Sequence, residues 1–216
     1  MTNITVKSVE EYLEFLKEVA TKGVVNVPIY NKKNKEEYRN ALEKIEYYHF
    51  VQSADYHYFI SRILFLHYII DYSQFSGYQC IENYLKAYLK FKEEVPPDKH
   101  DLQLLLKLCR AKEPVAPFIN SDNIVIIIAK YEPFYELARY PVQHEHPKSG
   151  YDFVIPDDIY ILDYFVMKMR EIIVVPTNTW DIFKDGHFKL YQCQQNFPDF
   201  YNTFFENNIN FTERNS

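Results

Sequence analysis

A chain of 216 residues, 47% apolar and 18% aromatic, can bury a sizeable core, which excludes a disordered protein of high charge and low hydrophobicity. Its formal net charge of −6 excludes an overall basic field that holds long nucleic acid without sequence preference, and leaves room for a local basic pocket. Cys80, Cys109 and Cys193 are odd in number and form no C-x-x-C, so they indicate neither a disulfide framework nor a thiolate zinc site; a reducing, cytoplasmic setting is expected.

The opening residues lack the apolar run of a signal peptide. Ser8 and Glu11 have the spacing of a capping box, and Tyr12, Leu13 and Leu16 continue at helical steps towards Gly23. VVNVPIY is short and β-branched, hence an edge strand interrupted by Pro28, and a charged helix is expected over 35–51. Over 53–72 Phe59, Ile60, Ile63, Leu64, Leu66 and Ile70 recur mostly at steps of three and four, predicting a central helix. On it, His67 and Asp71 share a face at i, i+4.

A second bundle helix is expected over 78–92, with Ile81, Leu85, Tyr88 and Leu89 on one side and Glu82, Lys86 and Lys90 on the other; Pro96 and Pro97 follow it. His100 and Asp101 precede LQLLLKLCRAK, a third helix that opens with an acidic residue. Ser121, Asp122 or Asn123 caps a fourth helix running to Arg139, which Pro133 should kink or restart. Its apolar run IVIIIA is too short to cross ~30 Å of hydrocarbon. A fifth helix follows Pro156, with Ile159, Leu162, Val166, Met169 and Ile173 as its buried stripe.

After Pro176, WDIF and HFKLYQC flank Asp185 and Gly186 and read as a β-hairpin; FPDFYNTFFENN reads as a short helix. The expected organisation is therefore an N-terminal helical extension over 1–49 packed on the core, a helical bundle over 50–174, and an aromatic extension over 175–216.

Three stretches together carry a family likeness: CIENYLKAYLKFKEEVPPDKHDLQLLL, YELARYP, and the helix after VIPDD. In order and spacing they resemble the HEPN family of prokaryotes and higher eukaryotes over about residues 50–174. The resemblance implies a mostly α fold, an up-and-down bundle of four to five helices, usually a homodimer. It is linked to nucleotide binding in some members and to metal-independent RNA cleavage in others, often beside a protein partner encoded nearby.

RNA-cleaving members use an R-x4-6-H motif, and Arg139 with His144 or His146 fits that formula. Histidine can move the proton of a ribose 2′-OH, and a guanidinium can stabilise charge added at the phosphate, with no cofactor or metal. On a helix, five residues cover about 7.5 Å. Pro141 and Pro147 instead favour an extended path of roughly 17 Å, and the ARYP form resembles the non-cleaving branch of the family, in which an arginine, an aromatic and a proline close the fourth helix and lead into a loop. Arg139 then reads as a helix-end contact or as a phosphate ligand.

The HEH triplet lacks a third ligand at a known spacing, so no metal is expected. Arg62, Lys86, Lys90 and His100 are the other candidate ligand contacts. Each has a bland counterpart: a salt-bridged arginine, a solvated lysine row with Lys107 and Arg110, and a histidine that caps or packs. Glu82 reads as the i, i+4 partner of Lys86. Three functions stay open: a dimeric module for nucleotide or RNA phosphates, an endoribonuclease acting as a toxin or defence effector, and a non-catalytic dimerisation and docking protein.

Overall fold

The computed structural model describes residues 34–137, 158–184, 195, 198–205 and 208–212. The chain divides into two compact units, Met1–Lys44 and Ile45–Ser216. Within the first, α1 (Lys35–Lys44) buries Ala41 and Leu42, and Asn34 Oδ1 accepts from Glu37 N at its start, 3.2 Å away. The helix expected over 35–51 is interrupted at Ile45 and Glu46.

The second unit is an all-helical bundle among the described residues: α2 (Tyr47–Leu66), α3 (Ile70–Phe91), α4 (Leu102–Arg110), α5 (Asp122–Tyr131), α6 (Phe134–Leu137), α7 (Asp158–Ile172), α8 (Pro198–Phe205) and α9 (Ile209–Thr212). Helix α3 is its axis. It packs against α2, α4, α5, α6 and α7, and Ile81, Tyr84, Leu85, Tyr88 and Leu89 are fully buried on it. Each such side chain contributes roughly 1.5–3 kcal/mol of hydrophobic stabilisation.

The turn between α2 and α3 differs from the sequence expectation, which carried the central helix through to residue 72. Helix α2 stops at His67 in a Schellman arrangement: Tyr68 N donates to Phe65 O at 3.0 Å, Ile69 N donates to Leu64 O at 2.9 Å, and Tyr68 has φ 60°. Helix α3 ends the same way, with Glu93 at φ 60°. These left-handed positions usually carry glycine, and here no glycine marks them. Conversely, Gly77, which the sequence placed between helices, lies inside α3, where it lets Tyr131 of α5 approach. A Cβ there would lie 2.4 Å from Tyr131 Cε1.

A side-chain cap starts α4, whereas Ser121, the N-cap of α5, makes no side-chain cap hydrogen bond and donates through Oγ to the carbonyl of Phe118 at 2.7 Å. Asp101 Oδ1 accepts from Leu104 N at 2.7 Å, a cap worth about 1 kcal/mol. Pro133 ends α5, and α6 restarts behind it, with Leu137 N donating to Pro133 O at 3.2 Å. Asp158, buried in the first turn of α7, pairs with Lys130 of α5 at 2.8 Å. The expected stripe Ile159, Leu162, Val166, Met169 and Ile173 is buried throughout.

The strand expected over WDIF does not form. Residues 182–184 make a helical turn, with Asp181 Oδ1 accepting from Phe183 N at 3.0 Å as an N-cap does. The second half of that hairpin lies outside the described residues. The short helix expected near the C-terminus is α8, and it packs against α2. No helix among the described residues is long and apolar enough to cross a membrane.

Replacing Gly77 by alanine sets a helix-propensity gain of about 1 kcal/mol against overpacking of about 1–3 kcal/mol. Tyr131 is 2% exposed and has little room to retreat. Urea unfolding should therefore show Gly77→Ala destabilised by roughly 1–2 kcal/mol. A more stable variant would show that the ring moves aside.

Candidate functional site

Beside the Lys130–Asp158 pair, three further clusters of buried charge among the described residues tie the bundle together. In the first, Arg62 pairs with Asp163 across 101 residues and donates through Nε to the carbonyl of Phe204 at 2.8 Å. Tyr58 donates to Asp163 Oδ1 at 2.7 Å, and Asn210 Nδ2 donates to the carbonyl of Asp163 at 3.0 Å. Arg62 is 2% exposed and takes the salt-bridged alternative that the sequence offered beside a ligand contact: its guanidinium fixes α7 and the C-terminal segment against α2.

In the second cluster, Arg170 lies 3.2 Å from Asp55 and 2.6 Å from Asp181, and Tyr84 donates to Asp55. Its guanidinium also stands 4.9 Å from the centre of the Phe183 ring. Both clusters are sealed within the fold.

The third cluster opens to solvent. Glu82 on α3 is 3% exposed, and its carboxylate takes two partners. Lys86, one turn along the same helix, lies 2.6 Å from Oε1, as the i, i+4 reading expected. His100 Nδ1 lies 3.1 Å from both carboxylate oxygens. The His100 side chain is 39% exposed, which makes it the outward member of the cluster. Asp101 caps α4 immediately after it, so the helix start fixes where the imidazole is presented.

The ring of Tyr135, on α6, stacks on His100 with centroids 5.2 Å apart and planes 18° apart. Tyr78 stands behind Tyr135 at 5.1 Å. Its hydroxyl is buried with no hydrogen-bond partner among the described residues, and burial together with Glu82 and Glu132 pushes it well above an ordinary phenol. Glu132, at the end of α5, is raised by burial and then by Asp101; its Oε2 likewise has no partner among the described residues. Burial holds His57 of α2 below its usual range against the pull of Glu82.

Of the residues that the sequence singled out, Lys86 and His100 are thus joined through Glu82, and Lys90 follows one turn further along α3. Arg139, His144 and His146 lie outside the described residues. Tyr135, Tyr78, Glu132 and His57 were not anticipated as part of a site. The one sequence signal for them is position: Tyr78 precedes Glu82 by one helical turn, and Glu132 and Tyr135 flank the helix restart at Pro133. Cys80 and Cys109 are buried free thiols, and burial pushes Cys109 up to about 12, far from a reactive thiolate. Among the described residues no group of three or more His, Cys, Asp or Glu side chains could hold a metal ion.

The architecture defines an α-helical bundle module whose polar groups converge at the α3, α4 and α6 edge. The sequence model of the HEPN domain matches residues 47–164, more than half of the chain, and the chain belongs to that family. No curated protein and no solved structure matches it.

The lowered His57 has a measurable consequence. Unfolded imidazole takes a proton near ~6.5, whereas folded His57 takes one only at lower pH. Between those two values the unfolded chain binds more protons, so this group's contribution is present above the window and lost as pH falls through it. Denaturant unfolding across that range should show a shallower loss of stability for His57→Gln than for the wild type. An identical slope would place the titration elsewhere.

Proposed function

We propose that this HEPN-family module binds the phosphate of a nucleotide or an RNA at the His100 edge of the bundle, as a homodimer. The carrying observation is the buried Glu82 carboxylate holding both Lys86 and an exposed imidazole. With Nδ1 engaged, Nε2 is the ring nitrogen left to hydrogen-bond a phosphate ligand. Lys90 adds a second cation one turn along α3. Arg139 follows Tyr135 by four residues, a chain length that reaches at most about 14 Å. This supports it as a further phosphate ligand.

Calorimetric titration with ATP and with a short single-stranded RNA tests the reading. Saturable binding that weakens with added salt is expected, reduced roughly tenfold in His100→Ala and in Lys90→Ala. Absence of saturation up to about 1 mM nucleotide, or equal binding by both variants, sinks it.

The same geometry favours a second reading, a metal-independent endoribonuclease, because an imidazole oriented by a carboxylate is also how general bases are presented. Arg139 with His144 or His146 would then supply the family's cleaving pair. RNA cleavage that persists in EDTA and disappears in Arg139→Ala is the expected result of this reading; no cleavage by the wild type removes it.

A further inference from the structure

Helices α4 and α5 both pack on α3 and leave a trough between them that encloses about 350 Å³. Its lining includes Leu106, Lys107, Arg110, Val125, Ile128 and Ala129. Leu106 and Ile128 are buried at 6% and 2%, and form its floor. Beside them the outer face of α5 stays apolar: Val125 is 42% exposed and Ile126 66%. An aliphatic helix face left open to this degree is a surface that lowers its free energy when covered.

The charge at the trough is opposite in sign to that of the chain. Lys107 is exposed, and neither it nor Arg110 has a carboxylate partner among the described residues. Arg110 is held in place by the carbonyls of Ile119 and Ser121, at 3.0 and 2.9 Å, so its guanidinium is fixed at the rim. No carboxylate and no aromatic ring is in the lining. Two fixed or exposed cations over an aliphatic floor, within a chain of net charge −6, match an acidic apolar partner. Nucleobases, which bind on aromatic platforms, find none here.

We propose that this trough is a docking groove for an acidic amphipathic helix of another protein. The helices that form it are 9 and 10 residues long, about 15 Å, enough to seat roughly three turns of a partner. The partner presents apolar side chains at i, i+3 or i+4, and i+7 to Leu106, Val125 and Ile128, and glutamates or aspartates to Lys107 and Arg110. This surface is distinct from the His100 edge, so the two proposals stand or fall separately.

The test is fluorescence anisotropy of the full chain with a labelled helical peptide of about three turns, leucines on one face flanked by glutamate. Saturable binding is expected, weakened roughly tenfold when lysine replaces the glutamates, and similarly in Lys107→Glu and Val125→Asp. Both positions are exposed, and circular dichroism checks that the variants fold. Equal affinity for the charge-reversed peptide, indifference to both substitutions, or no saturation up to about 1 mM overturns the proposal. So does self-association in sedimentation that Ile126→Asp abolishes, which would assign the trough to a second copy of this chain.

Discussion

One buried carboxylate constrains much of this fold. Helix α3 is enclosed by five neighbours, and it carries Glu82 into an interior where an unpaired charge costs several kcal/mol. Lys86 is the local answer, supplied by the helix period itself. His100 is not local: it lies 18 residues away, and brings in the connection between α3 and α4. The Schellman turn at Glu93 reverses the chain, the Asp101 cap starts α4, and Tyr135 covers the imidazole from α6. Neutralising Glu82 therefore assembles three helices around one histidine, and the candidate site is the outer edge of that solution.

The other two clusters follow the same electrostatic logic with a different outcome. Arg62 with Asp163, and Arg170 with Asp55 and Asp181, join segments far apart in sequence, and removing one partner of such a pair costs about 3–5 kcal/mol. Their side chains are no more than 10% exposed, whereas His100 is 39% exposed. That difference separates the sealed pairs from the candidate site. The sealed pairs spend their hydrogen-bonding capacity on the protein, and the Glu82 cluster leaves one ring nitrogen of His100 for the ligand proposed above. Around the sealed pairs, Phe59, Phe183, Phe204 and Phe211 pack against one another in stacked and edge-on arrangements, so the C-terminal segment joins the bundle through both charge and aromatic burial.

The sequence was readable wherever chemistry is local. Asp101, Pro133 and the stripe from Ile159 to Ile173 announced α4, the α5 break and the buried face of α7, because caps, prolines and helical period act within a few residues. It was unreadable where tertiary packing overrides local rules. Tyr68 and Glu93 occupy left-handed positions that glycine would ordinarily mark, and Gly77 sits where a close approach by Tyr131 requires it. Asp181 turned a β-rich string into a helical turn. In the site, Glu82 with Lys86 follows from the i, i+4 rule, whereas Glu82 with His100 and the stack with Tyr135 join a helix-to-helix connection to two separate helices, which no spacing encodes.

The electrostatics also limit what the proposed phosphate site is built to hold. Glu82, Glu132 and Asp101 lie in or beside the cluster, and the chain as a whole is negative. At ~0.1 M salt the Debye length is about 10 Å, so distant basic residues cannot compensate for that field, and a long nucleic acid gains little steering towards this edge. Attraction must arise at contact, from the imidazole of His100 and a neighbouring lysine or arginine. Such contacts favour a compact phosphate placed against the imidazole over an extended backbone that would run past the acidic groups. Within the nucleotide or RNA reading, the charge distribution thus selects for a mononucleotide or a single phosphate of a short RNA.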